Sequence, residues 1–147
     1  METITQEDRD LLINDLCARL PFGIKVLYDT QVFEVQYIEP MYEEIKLLDN
    51  ENYTLSIDEV KPYLFPLSSM TEEQKRELEE ITDFRHNHNT LELVEWTETH
   101  ATLEFWLEEV PQYIIIQVFD WLRKNHFDFQ YLIEKGLAID ATGLNIY

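Results

Sequence analysis

The sequence predicts an α+β chain: an N-terminal helix, a small antiparallel β-meander able to curl toward a barrel, a surface acidic helix and an apolar C-terminal helical unit. Three observations lead there. The hydrophobic spacing switches from helical to alternating at Pro21. Acid is spread unevenly along the chain. Apolar residues make up 45% of the sequence and aromatic residues 13%, enough to form a core in spite of a formal charge of -19. At 147 residues the chain suits a single domain, able to bury about two-thirds of the surface its unfolded form exposes.

Thr5 with Asp8 marks a helix start. Leu12, Leu16 and Leu20, with Ile13 and Cys17, then form one apolar stripe. Pro21 ends that helix and Gly23 frees the exit. Four short runs rich in Val, Ile, Tyr and Phe follow: 24–28, 32–38, 42–48 and 53–57. They are parted by Asp29-Thr30, Glu39-Pro40 and Asp49-Asn50-Glu51-Asn52. In the second run Phe33, Val35 and Tyr37 alternate with Glu34 and Gln36, the pattern of a half-buried strand.

Residues 58–71 read as a crossing segment laid along the body, where Pro62 and Pro66 disfavour helix. Thr71 and Gln74 supply a capping box, with Glu72 and Glu73 near the positive helix end, and the helix should reach Thr82. Only Leu78 and Ile81 are apolar in it, so it belongs on the surface. Leu91 and Leu93, and then Leu103, Phe105 and Leu107, alternate with acids and allow a second hairpin within 83–110. From Pro111 the apolar residues Ile114, Ile115, Val118, Phe119, Trp121 and Leu122 cover a wide helical face. The β-branched run Ile114–Ile116 also admits a strand start. A break at 125–127, an Asp128 cap and a short helix to Lys135, closed by Gly136, complete the reading. Phe119, Trp121, Leu122, Phe127, Leu132 and Ile133 are the expected core of this last unit.

Charge narrows function. Residues 1–70 hold 14 acids and 5 bases, residues 71–110 hold 12 and 3, and residues 111–147 only 4 and 3. The last segment therefore reads as core-forming, with the acid displayed elsewhere. Such a field repels nucleic acid and anionic membrane and attracts basic proteins. Direct nucleic-acid binding and membrane association are not expected, and the expected partner is a basic protein.

Motifs narrow it further. Gly23, Gly136 and Gly143 stand alone, whereas a phosphate cradle needs clustered glycines before a helix. No serine occupies a nucleophile-elbow context. Cys17 cannot close an internal disulfide and reads as a small buried hydrophobe. His86 and His88 form a tight pair that His100, Glu92 or Glu95 could complete into a metal site, but the zinc-ligand spacings are lacking. No residue is assigned a catalytic, cofactor-binding or metal-binding role. The N-terminus lacks a basic segment followed by an apolar one, and the apolar runs are too short for a membrane span, so a cytoplasmic setting is expected.

One acidic feature has geometry. Glu73, Glu77 and Glu80 follow i, i+4, i+7 spacing, flanked by Glu72 and Glu79. Carboxylates four apart on a helix rise about 6 Å, close to two phosphate steps of about 3.4 Å. The set is the candidate partner-binding surface, set against the plainer reading of a solvated helix face. A non-enzymatic interaction module is the leading functional class. A small enzyme using a carboxylate or histidine site is the alternative.

Two segments carry a resemblance. Residues 60–76, Val-Lys-Pro-Tyr-Leu-Phe-Pro-Leu-Ser-Ser-Met-Thr-Glu-Glu-Gln-Lys-Arg, and residues 119–140, with Phe119-Asp120-Trp121-Leu122 and His126-Phe127-Asp128-Phe129, resemble a family of small uncharacterised proteins of gut Bacteroides and their phages. After Phe127-Asp128 that family shows an aromatic, an arginine and a glycine, where Phe129, Gln130 and Tyr131 stand here. The resemblance implies a phage or mobile-element accessory protein of the bacterial cytoplasm. It implies no established activity.

Overall fold

The computed structural model describes residues 4–82, 92–94, 102–104 and 112–147. Its class is α+β, with helices and a mixed sheet. The chain divides into two compact units, one formed by 1–64 with 130–147 and the other by 65–129. The last eighteen residues thus belong with the first unit.

In the first unit, helix α1 (Gln6–Arg19) begins where expected: the Thr5 Oγ1 accepts the Asp8 N–H at 3.1 Å. That bond satisfies a donor that the first helical turn leaves without a partner. Pro21 tightens the exit into a 3-10 turn over Leu20–Phe22, and Gly23 reverses the chain at φ +82°, a conformation that costs glycine little. Leu12, Ile13 and Leu16 are buried, with Leu20 and Cys17 half-buried beside them. Arg9 fixes the helix to the 3-10 turn at Ile57–Glu59 through two bonds to Asp58, at 2.8 and 2.9 Å.

The four expected strands form. They are β1 (Lys25–Tyr28), β2 (Gln31–Glu39), β3 (Glu44–Leu47) and β4 (Leu55–Ser56), each antiparallel to the next. Asp29 and Thr30 make a two-residue turn with both φ positive, the hand that matches the twist of a hairpin. A bulge between Val35 and Tyr37 shifts the register of β2 on β3. One face of the sheet carries Val26, Val35, Ile45, Leu47 and Leu55 into a core shared with α1 and with Leu132, Leu137 and Ala138.

Two expectations for this unit are corrected. The sheet is open and does not curl into a barrel. β4 pairs through only two residues and forms one edge, and the chain then crosses to the far side of β1. There the supposed crossing segment forms a strand, β5 (Lys61–Pro66), with Val26 opposite Pro62 and Leu27 opposite Lys61. Its residues Pro62, Tyr63 and Leu64 are all buried, so it shows no alternation to read. On the other side of β5, β9 (Ile139–Asp140) pairs in parallel, with Tyr63 opposite Ile139.

Among its described residues the second unit holds helix α2 (Glu72–Thr82), helix α3 (Gln112–Lys124) and three short strands. β6 (Glu92–Val94) and β7 (Thr102–Glu104) pair antiparallel with Leu93 opposite Leu103, in agreement with the hairpin that the alternation allowed. The apolar stretch after Pro111 is helix rather than strand. Leu67, Met70, Leu78, Val118, Leu122 and Phe127 are buried together, with Trp121 stacked on Phe127 at 5.7 Å.

The expected cap at Asp128 and helix to Lys135 do not form. Phe127–Asp128 is a strand, β8, parallel to Phe65–Pro66. Residues 132–136 make a single turn, closed by bonds from Leu137 N–H to Leu132 and from Gly136 N–H to Ile133. This is a Schellman ending with Gly136 at φ +77°. The stop signal is present, but one turn is too short to count as a helix. Of the six expected core residues, Leu122, Phe127 and Leu132 are buried and Phe119, Trp121 and Ile133 half-buried. They divide between two cores: Leu132 and Ile133 belong to the first unit, the rest to the second.

Candidate functional site

The acidic helix α2 is set by its own ends. Gln74 N–H donates to Thr71 Oγ1 at 3.1 Å and Thr71 N–H donates to Gln74 Oε1 at 2.9 Å, completing the expected capping box. Leu78 is wholly buried and Ile81 half-buried, so one stripe of the helix holds it to its unit. Glu72, Glu73, Glu77 and Glu80 are all exposed. Glu79 lies in α2 by its backbone, and its side chain is outside the described ones. Lys75 Nζ sits 3.1 Å from Glu72 and offsets part of that charge, while Arg76 is exposed on the same helix. The structure thus brings Glu73, Glu77 and Glu80 onto an outward side of one rigid element.

The histidine pair and its candidate partners give no comparable geometry. His86, His88, Glu95 and His100 lie outside the described residues; Glu92 is described by backbone alone, in β6. Among the described residues, no group of three or more His, Cys, Asp or Glu gathers to hold a metal ion. Cys17 is half-buried, and burial pushes its thiol above the ordinary value, which suppresses the reactive thiolate.

A concave feature appears that the strand-by-strand reading did not raise. The turn between β1 and β2 and the loop between β3 and β4 border an open cleft of about 360 Å³. Tyr28 and Phe33 are among the residues lining it, with ring centroids 6.2 Å apart. Asp29, Gln31, Asn50, Glu51 and Asn52 supply its polar lining. The loop is held from behind by Lys46, whose Nζ donates to the carbonyls of Asn50 at 2.6 Å and Asn52 at 2.7 Å. Asn52 N–H in turn donates to Asn50 Oδ1 at 2.9 Å. The signal for this cleft was in the sequence. In a meander the first and third connections lie at the same end, so Asp29-Thr30 and Asp49-Asn50-Glu51-Asn52 had to become neighbours.

Compared with family models, with curated proteins and with solved structures, the chain has no match in any of the three. No helix among the described residues is long and apolar enough to cross a membrane.

Proposed function

We propose that this chain is a non-enzymatic interaction module that offers the carboxylates of α2 to a basic protein partner. In its sharper form it is an inhibitor that occupies the nucleic-acid-binding surface of that partner, as an accessory protein of a phage or mobile element in the bacterial cytoplasm. The observation that carries the reading is the common exposure of Glu72, Glu73, Glu77 and Glu80 on one capped helix. Glu79 extends the set in sequence. A rise of about 1.5 Å per residue puts Glu73 and Glu77 about 6 Å apart along the axis, close to two phosphate steps. The charge of -19 adds long-range attraction toward a basic partner.

The test is partner capture from host lysate by the parent chain and by a variant carrying Glu73→Lys, Glu77→Lys and Glu80→Lys. The parent should capture a basic protein at low salt and lose it as the Debye length contracts from about 10 Å at 0.1 M to about 3 Å at 1 M. The variant should fold normally, because an exposed helix face adds little stability, and should capture nothing. Capture of the same partner by the variant with unchanged salt dependence makes α2 a solvated face and removes the reading.

A further inference from the structure

One rung of the sheet between β1 and β5 is made by a side chain. The two strands pair at Leu27 opposite Lys61 and Val26 opposite Pro62, and the next pair in that register is Lys25 with Tyr63. Antiparallel ladders alternate bonded and non-bonded pairs. Pro62 has no N–H to give, so Val26–Pro62 is the non-bonded one. Lys25 N–H and the Tyr63 carbonyl are then the groups due to bond at the following rung, yet the register stops short of them. In place of a direct bond stands the Tyr147 hydroxyl, which accepts the Lys25 N–H at 3.0 Å and donates to the Tyr63 carbonyl at 2.9 Å. The phenol relays the missing ladder bond.

The segment that carries this phenol is anchored at two points. At its root Ala141 is buried, and its N–H donates to the Leu64 carbonyl at 2.8 Å, next to the pairing of β9 with β5. At the second anchor the Lys25 ammonium donates to the Ile146 carbonyl at 2.8 Å and lies 5.7 Å from the centre of the Tyr147 ring. Between the anchors Thr142, Gly143, Leu144 and Asn145 are all exposed. Gly143 at φ +78° and Asn145 at φ +54° turn the chain there. An exposed span that turns twice lets the second anchor leave while the buried root stays.

We propose that residues 142–147 form a releasable strap, with the Tyr147 hydroxyl as its latch in the β1–β5 ladder. When the strap opens, the Lys25 N–H and the Tyr63 carbonyl meet water side by side while the rest of the ladder stays paired. Lys25 serves the device twice, through its backbone N–H at the latch and its ammonium on the strap. The strap thus uncovers one donor and one acceptor in the seam without unfolding the sheet.

The test is native-state amide hydrogen exchange on the full chain, followed by NMR in rising urea below the unfolding transition. The references are two backbone-bonded amides, Val35, which donates to the Ile24 carbonyl at 3.0 Å, and Ala141 at the root of the strap. In the parent the residue 25 amide should exchange about tenfold or more faster than both, with little urea dependence, the mark of a local opening. Tyr147→Phe keeps the ring and removes the relay. It should speed exchange at residue 25 by about tenfold, the worth of one or two net hydrogen bonds, and leave Val35 and Ala141 unchanged. Lys25→Met keeps the backbone N–H and removes the ammonium; corrected for the intrinsic rate of the new side chain, it should speed exchange at that position alone. The proposal is overturned if the parent's residue 25 amide shares the rate and urea dependence of Val35, because the strap then opens only with the whole fold. It is equally overturned if either substitution leaves residue 25 unchanged, or speeds all three amides alike, which makes the contact a general staple of the fold.

Discussion

Asp15 and Arg19 form an ion pair one turn apart on α1, with Arg19 Nε 2.7 Å from Asp15 Oδ2 and side chains only 0% and 1% exposed. Both charges have left water, and the ion pair offsets part of that cost. The pair lies on the same helix as the buried apolar residues Leu12 and Leu16.

Removing one partner should therefore cost far more than breaking a surface pair. Asp15→Ala is expected to destabilise the chain by about 3–5 kcal/mol, because it breaks a buried ion pair by removing one member. The paired replacement Asp15→Leu with Arg19→Met should restore most of that loss. Urea unfolding of the three proteins checks this. A single variant within about 1 kcal/mol of the parent, the usual value of a surface pair, would contradict it.

Alkaline stability should follow Tyr147. Its hydroxyl accepts the Lys25 N–H at 3.0 Å and donates to the Tyr63 carbonyl at 2.9 Å. The residue as a whole is 41% exposed, but the hydroxyl is the enclosed end, and it is the hydroxyl that titrates. Burial pushes it up from 10.0 to about 12, with the Lys25 bond opposing. The folded state thus holds this proton more tightly than the unfolded one. The resulting stabilisation is complete below pH 10.0 and is lost as the pH rises toward about 12. Tyr147→Phe should flatten the pH dependence of the urea midpoint over that window, and an unchanged slope would refute the assignment.

The second core should respond to truncation at Leu122. Its side chain is wholly buried among Leu78, Val118 and Phe127. Leu122→Ala should cost about 2–5 kcal/mol, the spread reflecting how far the cavity can collapse. Urea melts that place the variant within about 0.5 kcal/mol of the parent, the range of surface substitutions, would show that this cluster does not support the fold.

The sequence alone determined what depends on near neighbours. The Thr5 cap, the Pro21 stop, the Thr71–Gln74 capping box and the Gly136 ending all rest on bonds spanning a few residues, and all four appear in the structure. The β1–β4 meander was legible for the same reason, since each strand pairs with the next one along the chain. The exposed acids of α2 followed from its own pattern, in which Leu78 and Ile81 define the buried stripe. Tertiary structure decided whatever needed distant chain. Lys61–Pro66 has two prolines and three consecutive buried residues, so neither alternation nor propensity marks it as a strand; it becomes one because β1 lies on one side and Ile139–Asp140 on the other. The same long-range pairing assigns 130–147 to the first unit, so the expected core residues fall into two cores. Asp15 and Arg19 leave water, and the β1–β2 turn and β3–β4 loop border one cleft, for a like reason: burial and concavity are properties of what packs nearby, and in this chain those neighbours come from far along the sequence.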